Sequence, residues 1–156
     1  MGQVVHTLTE GEPVLGVTSL AGEIYVLRDK GRDELEVYDV TYRLQRCLTV
    51  SNARPFTDMT SCEHYCCIYI GIPYVECIHR LDAQGVATQW PVSDKPQGLS
   101  VNAKHNLLVT CRRAGKIIYV SSANLIRTLP SCLGLKSAAV TTYAAGPSPD
   151  PCITLA

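Results

Sequence analysis

The sequence predicts an all-β repeat protein, on three observations. Short apolar runs rich in Val, Ile, Tyr and Thr alternate with turns that carry Gly, Pro, Asp and Asn. Three prolines, Pro13, Pro55 and Pro96, stand 42 and 41 residues apart. Apolar segments opening at Val4, Leu44, Val86 and Leu125 follow one another at 40, 42 and 39 residues. A fixed spacing of about forty residues is the mark of a repeated supersecondary unit.

The unit is most legible over residues 78–92. An apolar run meets Asp82-Ala83-Gln84-Gly85, and a second apolar run follows. Asp opens turns by accepting hydrogen bonds from the backbone just ahead of it, and Gly supplies positive φ. The stretch therefore reads as a β-hairpin.

Taken in order, the chain starts with a short amphipathic segment at residues 4–8, read as a leading outer strand within residues 1–9. The first full unit covers about residues 10–50. Strands are expected at 14–20 and 23–27, the second fully buried. Residues 28–33 are charged and are expected to be an exposed loop. Two further strands are expected at 35–40 and 44–50. The order restarts with Arg54-Pro55-Phe56 in a unit of about residues 51–92. Its expected strands are 57–61, 66–70, 74–81 and 86–92, with Gly71-Ile72-Pro73 as a turn. The third unit, about residues 93–131, opens with Lys95-Pro96-Gln97-Gly98. Strands follow at 99–101, 107–111, 116–121 and 125–129. Each proline stands just before the first strand, where no ladder donor is needed.

After Leu129 the pattern fails. Residues 132–156 are rich in Ala, Thr, Ser and Pro, and Pro147-Ser148-Pro149-Asp150-Pro151 excludes a strand interior. This stretch is expected to be an irregular or disordered tail.

Four short strands per period is the size of a propeller blade. Three groups of residues carry a resemblance to NHL-type and WD-repeat-like β-propellers. They are Pro96-Gln97-Gly98-Leu99 with residues 106–109 and 117–120, Gly22-Glu23-Ile24-Tyr25-Val26 with residues 35–39, and residues 78–85. No Trp-Asp pair closes a unit, which separates the chain from a strict WD repeat. The whole resembles propeller proteins of invertebrates more than any enzyme. The predicted fold class is an all-β, incomplete β-propeller, with about three four-stranded antiparallel blades plus one leading outer strand.

Composition narrows function. Lys+Arg and Asp+Glu are 14 each, so the formal charge is zero and exerts no global pull on nucleic acid or acidic lipid. No run is long enough to span a membrane, and no basic-then-apolar leader opens the chain. Met1-Gly2 begins like a myristoylation signal, but His6 stands where Ser or Thr is required. These features predict a cytoplasmic protein. The eight cysteines are accordingly expected to be reduced structural thiols.

Candidate sites are few. Cys62 and Cys66 have the spacing of half a zinc site, and Cys77 with His79 offers a second half. On a strand, however, Cys66 and Cys67 point to opposite faces, so only one of them can join Cys62. A basic cluster, Lys104, His105, Arg112, Arg113 and Lys116, is a candidate binding rim. Only Tyr119 lies near it to stack a base, so no nucleic-acid partner is expected. There is no nucleophile elbow, phosphate loop or metalloprotease motif. No catalytic residue and no cofactor is predicted. The expected function is a non-enzymatic scaffold for protein–protein interaction, a fragment of a larger propeller. The alternative is a hydrolase or metal-dependent enzyme on a ring completed by self-association through exposed blade edges.

Overall fold

A computed structural model describes residues 12–29, 34–50, 58–121, 125–129 and 142–144. The leading strand expected within residues 1–9 lies outside the described residues.

Three antiparallel sheets form. The first runs in the order β1 (Val14–Leu20), β2 (Glu23–Arg28), β3 (Glu34–Tyr38), β4 (Leu44–Thr49). The second runs β5 (Asp58–Cys62), β6 (Cys67–Ile72), β7 (Cys77–Asp82), β8 (Ala87–Pro91). The third runs β9 (Gly98–Val101), β10 (Leu107–Cys111), β11 (Lys116–Val120), β12 (Leu125–Leu129), with β13 (Thr142–Ala144) added outside β12. Within each sheet every strand pairs with its chain neighbour, so each is an up-and-down meander. The first strands β1, β5 and β9 lie side by side, and the sheets fan out from them as blades.

Cys66 lies in the 63–66 turn with φ of 42° rather than in the strand expected at 66–70, and three further details differ from the sequence expectation. Arg28 is 5% exposed rather than part of an exposed loop, because its guanidinium pairs with Glu36. Strand β6 continues through Ile72, and the turn falls at residues 73–76, so Tyr74 and Val75 leave the strand predicted for them. Gly71 is accommodated inside β6 opposite Asp58 and Ile78, which moves the turn two residues on. Within the stretch expected to be irregular, Thr142–Ala144 pairs antiparallel with β12. These three residues precede the proline-rich segment and fill a ladder edge that β12 would otherwise leave open.

Side-chain alternation splits the core into two layers. Between blades 1 and 2 lie Leu27, Leu35 and Val37 from one side and Ile68, Ile70, Ile72 and Leu81 from the other. Between blades 2 and 3 lie Tyr69, Ile78 and Trp90 against Leu107, Val109 and Ile118. The middle blade is therefore covered on both faces, and all six residues of β6 are buried. This explains why β6 reads as a continuous apolar run instead of an alternating one.

One turn geometry recurs. Asp39, Asp82 and Asn102 each accept the amides two and four residues ahead through the side-chain oxygen. Each backbone carbonyl also accepts the amide three residues on. The fourth residue of each turn has positive φ: Tyr42 at 62°, Gly85 at 82° and His105 at 60°. This is a type I turn closed by a left-handed residue. Turns alternate between two rims. The lower rim carries residues 21–22, 39–43, 63–66, 82–86 and 102–106. The upper rim carries residues 73–76, 92–97 and 112–115.

Candidate interaction surface

The four candidate metal ligands are not brought together. Cys62 pairs with Cys67 at one end of the β5–β6 ladder, while Cys77 pairs with Ile72, five positions along β6. At strand rise this is about 17 Å. Cys62 packs between blades 2 and 3, and Cys77 between blades 1 and 2. His79 faces the same layer as Cys77 but pairs with Ile70 and Gln89. Cys66 is disulfide-bonded, which corrects the expectation that all thiols are reduced and removes Cys66 as a ligand. Among the described residues, no group of three or more Cys, His, Asp or Glu can hold a metal ion.

The free cysteines there are Cys47, Cys62, Cys67, Cys77 and Cys111. Burial pushes the Cys67, Cys77 and Cys111 thiols up from their ordinary range. A thiol held protonated is a poor nucleophile and a poor ligand. Burial likewise raises the Tyr69 hydroxyl, and it raises Tyr25 to about 12, with the bond to Glu23 adding to it. These groups are packing elements.

The basic candidates divide between the rims. Lys104 and His105 sit in the lower turn before β10, and Arg112, Arg113 and Lys116 at the upper turn after it. The length of β10, about 17 Å, separates them. Lys116 is bound to the Asp94 carboxylate and to Ser93 Oγ, the latter at 3.1 Å. His105 stacks on His64 of the neighbouring blade, with ring centroids 4.2 Å apart and planes 8° from parallel. Tyr65 meets His64 edge-on at 4.6 Å. This lower-rim cluster ties blade 2 to blade 3. Likewise, both Glu63 carboxylate oxygens accept the Ala21 amide, at 3.1 and 3.2 Å, and tie blade 2 to blade 1.

The upper rim is different. Tyr74 is 74% exposed and Val75 54% exposed, both in the 73–76 turn. Lys95 Nζ stands 5.7 Å from the Tyr74 ring centroid. An aromatic ring, a branched aliphatic chain and a cation are thus displayed together, on a turn fixed by Val92 N–H donating to Glu76 O at 2.8 Å. On blade 3 lies an open hollow of about 420 Å³, with Gln97, Thr110, Lys116 and Ile117 on its walls. Thr110 and Ile117 belong to the face of blade 3 turned away from blade 2. The sequence missed Tyr74 and Val75 because their β-favouring side chains read as strand.

No family model and no curated protein matches the sequence. Solved structures do. The chain is similar to virginiamycin B lyase from Staphylococcus aureus, at 14% identity and a TM-score of 0.67, over 81% of this chain and 44% of the lyase. It is similar to a streptogramin B lyase at 17% identity and a TM-score of 0.63, over 76% and 41%. The computationally designed Ika4 protein matches at 11% identity and a TM-score of 0.56, over 94% of this chain and the whole of that one. The described residues form three blades of an incomplete propeller. The chain spans less than half the length of the lyases. At these identities the likeness shows the fold alone. Among the described residues, no helix is long and apolar enough to cross a membrane.

Proposed function

We propose that this chain is a non-enzymatic scaffold for protein–protein contact, working as part of a larger propeller. The observation that carries the reading is the upper-rim turn with Tyr74 and Val75 exposed beside Lys95. Exposed large aromatic and branched side chains on a rigid scaffold are typical anchors of interface hot spots. An aromatic and an aliphatic anchor next to a cation suit a protein partner that presents an apolar side chain beside a carboxylate. The free thiols suit a cytoplasmic setting, Cys66 being the exception among the described cysteines. The exposed far face of blade 3, with Thr110 and Ile117, is where further blades would continue the ring.

A photo-crosslinking residue at Val75 tests the reading. The expected result is a saturable adduct in cell extract that excess unmodified protein competes away. The Tyr74→Ser/Lys95→Glu variant should fail to compete. The same crosslinker at Thr41 on the lower rim should capture nothing comparable. Equal adducts from both rims, or full competition by the variant, would overturn it.

A further inference from the structure

His79 is the one titratable side chain among the described residues that is fully buried with neither ring nitrogen in a hydrogen bond. It sits in the middle of β7, between Cys77 and Leu81 on the face that packs against blade 1. Its cross-strand neighbours are Ile70 and Gln89. Buried polar groups are nearly always paired, so an orphaned imidazole in an apolar layer calls for an explanation.

The groups that face this layer are few. Strands β5, β6 and β8 contribute Met59, Ser61, Ile68, Ile70, Ile72, Ala87, Gln89 and Pro91, none of them ionisable at ordinary pH. On β7 itself the ionisable neighbour is Cys77, a free thiol whose burial favours the neutral form. Strands β1 and β3 add apolar residues and Thr18. From β2 and β4 come Glu23, Tyr25 and Arg46, and these are committed to one another. Arg46 Nη1 and Nη2 donate to the two Glu23 oxygens at 2.5 and 2.7 Å, and Tyr25 O–H donates to Glu23 at 2.8 Å. Glu63, in the turn after β5, also reaches this joint, and both its carboxylate oxygens accept the Ala21 amide. These described residues thus supply no uncommitted carboxylate that could receive an imidazolium in the closed layer.

We infer that His79 is an acid-sensitive release for the joint between blades 1 and 2, its ring able to take a proton only when that layer opens to water. Above the ordinary histidine value of 6.5 both open and closed forms are neutral, and the joint stays shut. Burial lowers the value in the closed form. As pH falls below 6.5, the open form binds a proton that the closed form does not, and opening becomes more favourable. Between pH 7.5 and 5.5 the gain in the open population reaches up to about tenfold.

Cys77 is a built-in reporter. It is buried in the same layer, two residues from His79, and Cys111 is an equally free and buried thiol in the other layer. The full chain is labelled with 4,4′-dithiodipyridine, which reacts in acid, and each site is read by mass spectrometry against a small-molecule thiol. The expected result is labelling of Cys77 that speeds up by up to about tenfold from pH 7.5 to 5.5, with Cys111 little changed. His79→Leu should abolish the acceleration. His79→Gln, which keeps a polar but non-titrating ring-sized group, serves if the leucine variant misfolds. Parallel acceleration at both cysteines, acceleration that survives the substitution, or no acceleration at Cys77 would each overturn the inference.

Discussion

The Asp58 carboxylate reaches across the joint between blades 2 and 3 to accept the Leu99 amide at 2.7 Å. Its Oδ2 takes that bond, while Oδ1 accepts the Met59 amide at 2.8 Å. Leu99 stands in the innermost strand of the third blade, so one side chain fixes the starting points of two neighbouring sheets. A charged acceptor to a backbone donor is among the stronger hydrogen bonds, worth about 1.5–3 kcal/mol. Asp58→Ala leaves the Leu99 amide without this partner and is expected to lower stability by about 1–3 kcal/mol. Asp58→Asn keeps an oxygen that can accept one of the two bonds and is expected to cost less. Urea midpoints of the two variants check this. Equal losses would show that the carboxylate bond is not what holds the joint.

Gly85 closes the lower turn of blade 2 with φ of +82°, and a Cβ there would lie 2.9 Å from Leu48 Cδ2 in blade 1. Two costs meet at this position: the left-handed backbone, about 1–2 kcal/mol for a residue with a side chain, and the close approach of a neighbouring blade. Gly85→Ala is therefore expected to destabilise by about 2 kcal/mol or more. Leu48→Ala relieves only the second cost. A double-mutant cycle should thus show the pair less destabilised than the sum of the single changes. Strict additivity would place Leu48 too far from the turn to matter.

The same turn shows what was legible in the chain and what was not. Asp82 and Gly85 announce it by residue type, and the proline and strand spacings announce the blades. The turns at Asp39 and Asn102 have identical bonding, but Tyr42 and His105 occupy the left-handed position, where the glycine cue is missing. Local patterns were readable because turn chemistry and side-chain alternation act over a few residues. The joints were not. The contacts of Asp58 with Leu99 and Glu63 with Ala21 each span about forty residues and depend on how whole sheets dock. The candidate zinc ligands are kept apart by ladder position, Cys62 pairing at one end of β6 and Cys77 at the other. Cys62 and Cys77 are close in sequence, yet alternation along the strands sends them into different layers.

Glu36 is 4% exposed and accepts from Arg28 Nε at 2.8 Å and from the Tyr38 hydroxyl at 2.7 Å, on the face of blade 1 turned away from blade 2. The bond to Glu36 holds the Arg28 guanidinium above its ordinary value, with Tyr38 adding to it. Removing Glu36 takes a buried carboxylate away from Arg28, whose Nη1 also donates to Glu12 O at 3.1 Å, and loss of one partner of a buried pair costs about 3–5 kcal/mol. Glu36→Ala is expected to fall in that range. Combined replacement by Arg28→Met, Glu36→Leu and Tyr38→Phe should restore most of the loss, because desolvation of the charges then disappears too. Thermal unfolding of both variants decides the matter. A triple variant no more stable than the single one would mean that the polar network itself specifies this face.

Glu23 and Arg46 give the fold a second pH dependence, opposite in chemistry to that of His79 and lower on the scale. The Arg46 guanidinium grips both carboxylate oxygens of Glu23 and holds its value below the ordinary 4.5, against burial, which pushes upward. A carboxylate depressed on folding stabilises the protein at pH values above 4.5, and that stabilisation is lost as pH falls through the lowered folded value. The two side chains are 38% and 28% exposed, so solvent screens the pair and the whole effect is expected to stay below about 1 kcal/mol. Arg46→Met keeps the aliphatic stem over the sheet and removes the charge. Urea midpoints measured from pH 5.5 to 3 should therefore fall less steeply in this variant than in the parent chain. Above pH 5.5, where Glu23 is ionised in both folded and unfolded forms, the two proteins should differ by a constant offset. A variant that keeps the parent's acid slope would assign the proton uptake to another carboxylate.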